Sequence, residues 1–235
     1  MRRPYQLILV AAAVTFTAGA VQAQDASTKV AGGGIFVDGW TGKIDATNEN
    51  AGLTISDGKL VKMGPGMHLT TGPAATYWNP ANKASGNYTV KATFSEAKYM
   101  SLNNHPHPYG IMIGGNDLGT DQQSYLYCAA YGNGNFIVRG FGPAPFQVNG
   151  RRGEANAAVN KAAGKDQPVK QEIAVQVVGD QVQCAINGTV VGTYNKADLI
   201  GTGKLKSLDG VYGIRIGHNA DVHVSDFGLG QTVTK

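Results

Sequence analysis

The chain is short of charge, of aromatic residues and of cysteine. Asp, Glu, Lys and Arg make up 15% of its 235 residues, and Phe, Trp and Tyr make up 8%. No Lys/Arg stripe interleaves with aromatics, so nothing supports a nucleic-acid partner. The mature chain shows no helix of ordinary length, no repeat of solenoid or propeller period and no glycine-rich phosphate loop leading into a helix. Its 33 glycines therefore read as turns and bulges. Nor is there an apolar run long enough to span a bilayer: Leu7 to Ala20 is uncharged, but short for a spanning helix of about 20 residues and rich in Ala and Thr.

That run reads instead as part of an export signal. Arg2 and Arg3 precede it, and Val21-Gln22-Ala23 supplies small residues where a signal peptidase cuts, so cleavage is expected before Gln24. No cysteine follows the small residues, which argues against a lipoprotein. Residues 1–23 are thus expected to be a signal peptide, 24–34 a flexible leader, 35–230 one domain and 231–235 a tail. The expected location is secreted, periplasmic or extracellular, in a bacterium. Cleavage removes two of the 20 basic residues and none of the 16 acidic ones, so the pI near 9.0 overstates how basic the working protein is.

The rest of the chain alternates. In Tyr88–Ser95, Tyr88, Val90, Ala92 and Phe94 fall on one face and Thr89, Lys91, Thr93 and Ser95 on the other, the period of a strand. A dozen or so such segments, with turns every 8–12 residues, predict an all-β fold, a two-sheet antiparallel sandwich or a barrel. Leu53–Ser56 and Lys59–Met63 read as a hairpin about Asp57-Gly58, and Gly64-Pro65-Gly66 as another turn. Residues 71–83 read as a loop. Tyr125–Tyr131 pairs with Asn135–Phe141. Residues 173–194 form a meander whose Asn187-Gly188 is a strong hairpin signal. Lys196–Ile200 reads as one helical turn, and Val211–Gly217 with Val222–Leu229 as a closing hairpin. Cys184 shares a face with Val182 and Ile186, and Cys128 with Leu126 and Ala130. Both point inward, which leaves open a disulfide or two buried thiols.

The meander Ile173–Val191, the closing Gly210-Val-Tyr-Gly-Ile-Arg-Ile-Gly217 with Val222–Phe227, and Gly86–Phe94 resemble the concanavalin A-like lectin/glucanase superfamily, and within it the 3-keto-disaccharide hydrolase-type domain. The resemblance implies a jelly roll whose concave face meets sugars. It also implies a carbohydrate or glycoside partner, and either a hydrolase acting on keto-sugar glycosides or a non-catalytic sugar-binding or cell-envelope module. The Glu-x-Asp-x-x-Glu strand of the superfamily's retaining glucanases, which sets paired carboxylates on one face, is missing. Glu96, Glu154 and Glu172 are isolated.

Several residues are candidates for ligand contact. Arg139 projects opposite Phe136 and Val138, and on the paired strand Tyr125, Tyr127 and Tyr131 share a parity. Aromatics stack on sugar rings and Arg donates paired hydrogen bonds, although an aromatic layer between the sheets fits the same pattern. His105-Pro106-His107-Pro108 presents two stiffened imidazoles, expected at the rim of that face. Two histidines fall short of a metal motif, and with no cysteine or third histidine nearby in sequence no such centre is expected. If residues 218–220 close a hairpin, Arg215, Asp221 and His223 gather as a second candidate face. Asn116, Asp117 and Asp121 offer oxygen ligands that would suit Ca²⁺, without an EF-hand pattern.

Overall fold

Tyr88, Val90, Ala92 and Phe94 are all buried in the computed structural model, which describes residues 25–230. The proposed signal peptide, Gln24 and the tail 231–235 lie outside the described residues. In chain order the first strands are β1 (Gly34–Phe36), β2 (Thr41–Ile44), β3 (Lys59–Met63), β4 (Gly66–Thr70), β5 (Ala75–Ala84), β6 (Tyr88–Glu96), β7 (Tyr109–Asn116) and β8 (Ser124–Ala130). There follow β9 (Asn135–Phe141), β10 (Pro145–Gln147), β11 (Glu154–Ala155), β12 (Val169–Val178), β13 (Gln181–Ile186), β14 (Thr189–Asn195), β15 (Gly210–Ile216) and β16 (Asp221–Gly230). The α-helices among the described residues are short, α1 (Ala46–Asn50) and α2 (Lys196–Leu199). None of the described helices is long and apolar enough to cross a membrane.

The strands form two sheets. The first runs β1-β3-β4-β16-β6-β12-β13-β14, and the second β10-β9-β8-β7-β15-β5-β2 with β11 also on β9. Pairing is antiparallel except for β1 on β3. This is the two-sheet sandwich that the alternation predicted, in the jelly-roll form that the resemblance implied. One apolar cluster fills the space between the sheets. Val90, Phe94, Val175 and Val222 of the first sheet meet Ile111, Leu126, Val138 and Ile214 of the second, each no more than 1% exposed. Burial of each such side chain contributes about 1.5–3 kcal/mol. Cys128 of β8 and Cys184 of β13 are disulfide-bonded with Cα atoms 5.9 Å apart, so a covalent bond joins the two sheets through this core.

A second cluster, Trp78, Met112, Tyr125, Tyr127, Ala129 and Ile137, lies apart from it. Its β8 residues alternate with Leu126, Cys128 and Ala130 of the inter-sheet core, so it occupies the outer face of the second sheet. The tyrosines are therefore not an aromatic layer between the sheets. β8 is buried on both faces along its whole length.

Four sequence expectations change. β15 and β16 are not a hairpin: β15 pairs with β5 and β7 in the second sheet, and β16 with β4 and β6 in the first. The intervening residues carry the chain from one sheet to the other, and the same alternation of aliphatics suits both partners. Most of residues 71–83, read as a loop, belongs to β5 (Ala75–Ala84). Asp57-Gly58 does not close a hairpin, because the Asp57 carboxylate accepts the Thr54 N–H at 2.7 Å and caps a 3₁₀ turn over Ile55–Asp57. β3 pairs instead with β4 across Gly64-Pro65. The described part of the leader is docked rather than loose. Thr28 N and Oγ1 both donate to Asn219 Oδ1, at 2.8 and 2.9 Å, and Val30 N donates to Asp57 O at 3.0 Å. The meander β12–β14 forms as expected, with Asn187 and Gly188 both at positive φ, the geometry of a two-residue hairpin turn.

The bridge closes a span of 56 residues, for which the loss of chain entropy in the unfolded state is worth about 4 kcal/mol. The Cys128→Ala/Cys184→Ala variant is expected to lose that much unfolding free energy in urea, with a correspondingly lower midpoint. Reductant should lower the wild type to the same value and leave the variant unmoved. Equal midpoints for all three would show that the bridge adds nothing.

Candidate functional site

A cleft of about 450 Å³ opens on the outer face of the second sheet. Register builds its floor. Lys43 of β2 is opposite Thr76 of β5, and Thr76 is opposite Arg215 of β15. Tyr127 of β8 is opposite Arg139 of β9, and Phe141 lies two residues beyond Arg139 on the same face. Asp45 enters directly after β2, and Thr120, Asp121 and Gln123 of the β7–β8 loop also line the cleft.

Arg215 anchors this face. It is 6% exposed and forms a bidentate pair with Asp45, Nη1 to Oδ1 and Nη2 to Oδ2, both 2.6 Å. Its guanidinium carbon lies 5.6 Å from the centre of the Tyr127 ring and 5.4 Å from that of Phe141, within range of cation–π attraction. Burial works against its charge, but Asp45 and the neighbouring Tyr125 hold the guanidinium above its ordinary pKa. Tyr125 lies beneath the cleft: its hydroxyl accepts from Thr76 Oγ1 at 2.9 Å and its ring stacks on Phe141 at 4.7 Å. Burial raises the pKa of both Tyr125 and Tyr127, so both phenols are neutral at pH 7.

The expected ligand residues are thus split. Tyr127 and Arg139 line the cleft; Tyr125, 1% exposed, does not. Arg139 is half-buried and donates to the Arg151 carbonyl. Arg215 was grouped with Asp221 and His223, but that grouping fails because β15 and β16 lie in different sheets. Arg215 belongs to the cleft. Asp221 and His223 are on the first sheet, where Asp221 Oδ1 is 2.7 Å from His68 Nε2 and the His68 and His223 rings stack at 6.4 Å. Phe141 could have been found from its parity with Arg139. Lys43 and Asp45 could not, since nothing in sequence ties β2 to β15.

The oxygen ligands suggested for Ca²⁺ are not gathered. Asp117 pairs with Lys206, Asp121 with Lys43 at 3.5 Å, and Asn116 Nδ2 donates to Gly114 O and Asp209 O. His105 and His107 do not rim the cleft. They meet His218, from the β15–β16 crossing, with ring nitrogens of all three within 4.8 Å of one another. A third histidine is therefore present, which the spacing of the first two gave no means of seeing. Burial, and then His218 and His105, push His107 down to about 3. Burial and His105 lower His218 against the opposing charge of Asp25. Glu96, in the first sheet and away from the cleft, is the described carboxyl that is pushed up. Burial takes it to about 7 despite the hydrogen bond it accepts from Met100 N.

No family model and no curated protein matches the chain. Solved structures do. The carbohydrate-binding module CBM66 from Bacillus subtilis superposes with a TM-score of 0.55 at 8% identity, over 84% of this chain and 98% of that one. A Bacillus subtilis protein of unknown function with a galectin-like fold gives 0.51 at 12% identity, over 85% and 92%. The laminarinase catalytic domain from Thermotoga maritima gives 0.50 at 10%, over 82% and 92%. The chain therefore has the concanavalin A-like lectin/glucanase fold.

Removing one partner of a buried ion pair leaves the other charge without compensation. The side chains of Arg215 and Asp45 are 8% and 26% exposed, so Asp45→Ala is expected to cost about 3 kcal/mol in urea unfolding, the lower end for buried pairs. Asp45→Ala/Arg215→Met should recover part of that. A loss below about 1 kcal/mol would make the pair an ordinary surface contact.

Proposed function

We propose that this protein recognises carbohydrate through the cleft on the outer face of the second sheet, as an exported bacterial protein. The observation that carries this reading is the cleft itself. It combines the half-buried Phe141 ring, the half-buried Arg139 and the polar Thr120 and Gln123 around a fixed Arg215–Asp45 pair. Aromatic faces stack on the apolar side of sugar rings while guanidinium and amide groups bind hydroxyls, and a mostly preformed concave site needs little reordering on binding. That a carbohydrate-binding module shares the fold supports the reading.

Hydrolysis of keto-sugar glycosides, which the sequence resemblance implies, would call for a free acid and base. Both cleft carboxylates, Asp45 and Asp121, are in ion pairs with Arg215 and Lys43. The carboxyl with a raised pKa, Glu96, is outside the cleft. Binding without turnover is the reading these facts favour. Export rests on the basic start, apolar run and small residues at 21–23, and a disulfide suits an oxidising compartment.

The binding test is a calorimetric titration of the protein with ordinary and 3-keto disaccharides and with longer glycans, with product detection in parallel. Saturable binding without product is expected. Arg139→Ala should weaken it about 10- to 100-fold, as for the loss of a charged hydrogen-bond donor, with the melting temperature little changed. Sugar cleavage would shift the reading to a hydrolase. Absence of binding across the panel, or affinity indifferent to Arg139, would remove the cleft from consideration. For export, the protein recovered from the periplasm or medium of a bacterial host should begin at Gln24 by N-terminal sequencing; recovery only from the cytosol, uncut, would refute it.

A further inference from the structure

His105 and His107 stand in the β6–β7 connection, and His218 in the crossing between β15 and β16. Sequence separates the two groups by more than a hundred residues, yet the rings pack at centroid distances of 4.3 Å (His105–His107), 3.8 Å (His107–His218) and 5.8 Å (His105–His218). Three ring nitrogens, Nε2 of His105, Nε2 of His107 and Nδ1 of His218, are buried without a hydrogen-bond partner. One orphaned polar atom in a fold is a defect to explain; three at one point, all of one chemical type, indicate a common partner.

The lone pairs are available. Asp25 accepts from Asn104, Oδ2 from the backbone N at 2.8 Å and Oδ1 from Nδ2 at 2.9 Å. A carboxylate only accepts, so the Asn104 amide is oriented with its oxygen free. That oxygen lies 2.7 Å from His105 Nδ1, so in the neutral ring Nδ1 carries the proton and Nε2 is bare. An outer hydrogen bond that fixes the tautomer is what ligating histidines have around metals.

The mounts are rigid. Pro106 and Pro108 fix their φ angles. Gly217 N donates to Pro108 O at 2.7 Å, and a Cβ on Gly217 would stand 2.8 Å from His107 Cβ, so glycine lets the two loops close. Asn103 Nδ2 donates to the carbonyls of His218 at 3.0 Å and Asn219 at 2.8 Å.

We propose that His105, His107 and His218 form a binding site for a divalent transition metal ion of the zinc type. Imidazole nitrogens suit Zn²⁺ and its Irving–Williams neighbours, whereas Ca²⁺ and Mg²⁺ want oxygen. Three protein ligands leave a fourth position for water or a ligand atom, the pattern of an open rather than a closed zinc site. The site is separate from the sugar cleft and does not depend on that reading.

The test uses full-length protein without a polyhistidine tag, stripped with chelator and titrated with Zn²⁺ against a chromogenic competitor. One equivalent should bind and raise the melting temperature, since a ligand held only by the folded state stabilises it. The Co²⁺-loaded form should show the strong visible bands of a four-coordinate site. His218→Ala should lose the stoichiometric binding. His105→Ala, in the other loop, should do the same, which keeps the test decisive if one variant folds poorly. Asn104→Ala keeps all three ligands and should weaken binding about 10- to 100-fold. Absence of a stoichiometric equivalent in the wild type, or full retention of it in both histidine variants, would overturn the site.

Discussion

The crossing from β15 to β16 is the constraint on which the rest of the molecule hangs. In four residues, Gly217 to Ala220, the chain leaves one sheet and enters the other. Asn219 makes this possible. It adopts φ of +48°, a left-handed conformation that Asn tolerates better than most residues. Its backbone N donates to Gly72 O at 2.9 Å, its carbonyl accepts from Asn103, its Oδ1 accepts twice from Thr28, and its Nδ2 donates to Ala26 O at 2.9 Å. Thr71 adds a hydroxyl bond to Gly217 O at 2.7 Å and accepts from Ala220 N at 3.1 Å. Buried polar groups must be matched or they cost stability, and here one corner matches those of three segments distant in sequence.

That corner also sets where the chemistry lies. Arg215 stands just before it, on the outer face of the second sheet, where Asp45 and two aromatic rings receive its charge. His218 stands within it and is carried to the two imidazoles of the β6–β7 connection. The two sites are served by one short stretch of chain, yet they differ in kind. The cleft is built on strands, where register fixes each side chain. The histidine trio is built on loops, where prolines, a glycine and asparagine side chains take over that task.

The outer face of the second sheet shows how a sandwich makes a site without giving up its core. β8 is buried on both sides, its even-numbered residues from Leu126 to Ala130 packing between the sheets and Tyr125, Tyr127 and Ala129 packing outward. The outward layer is apolar underneath and charged on top, so the guanidinium of Arg215 rests on rings rather than in water. Such a pair adds little net stability against an apolar substitute, because desolvation offsets the attraction. What it provides is a fixed arrangement of donors and rings.

The alternation along β6, β8, β9 and the β12–β14 meander determined by itself that the protein is built of sheets packed face to face or closed on themselves, since a period of two leaves one apolar face to bury and the sequence offers no helix of ordinary length to cover it. The parity shared by Tyr125 and Tyr127, the projection of Arg139 opposite Phe136 and Val138, and the inward direction of Cys128 and Cys184 were equally legible, but that the tyrosines pack on the outer face was decided only by the sheets themselves. Tertiary structure alone decided which strands are neighbours. Val211–Gly217 and Val222–Leu229 alternate as a hairpin would, but the pattern records which side of a strand is apolar and not which strand lies beside it. For that reason the grouping of Arg215 with Asp221 and His223 failed, Asp45 came to Arg215 unannounced, and the bonding of the two cysteines stayed open until β8 and β13 were seen face to face. The third histidine was hidden on the same ground, because spacing along a chain carries no distance between two loops that only the folded sheets bring together.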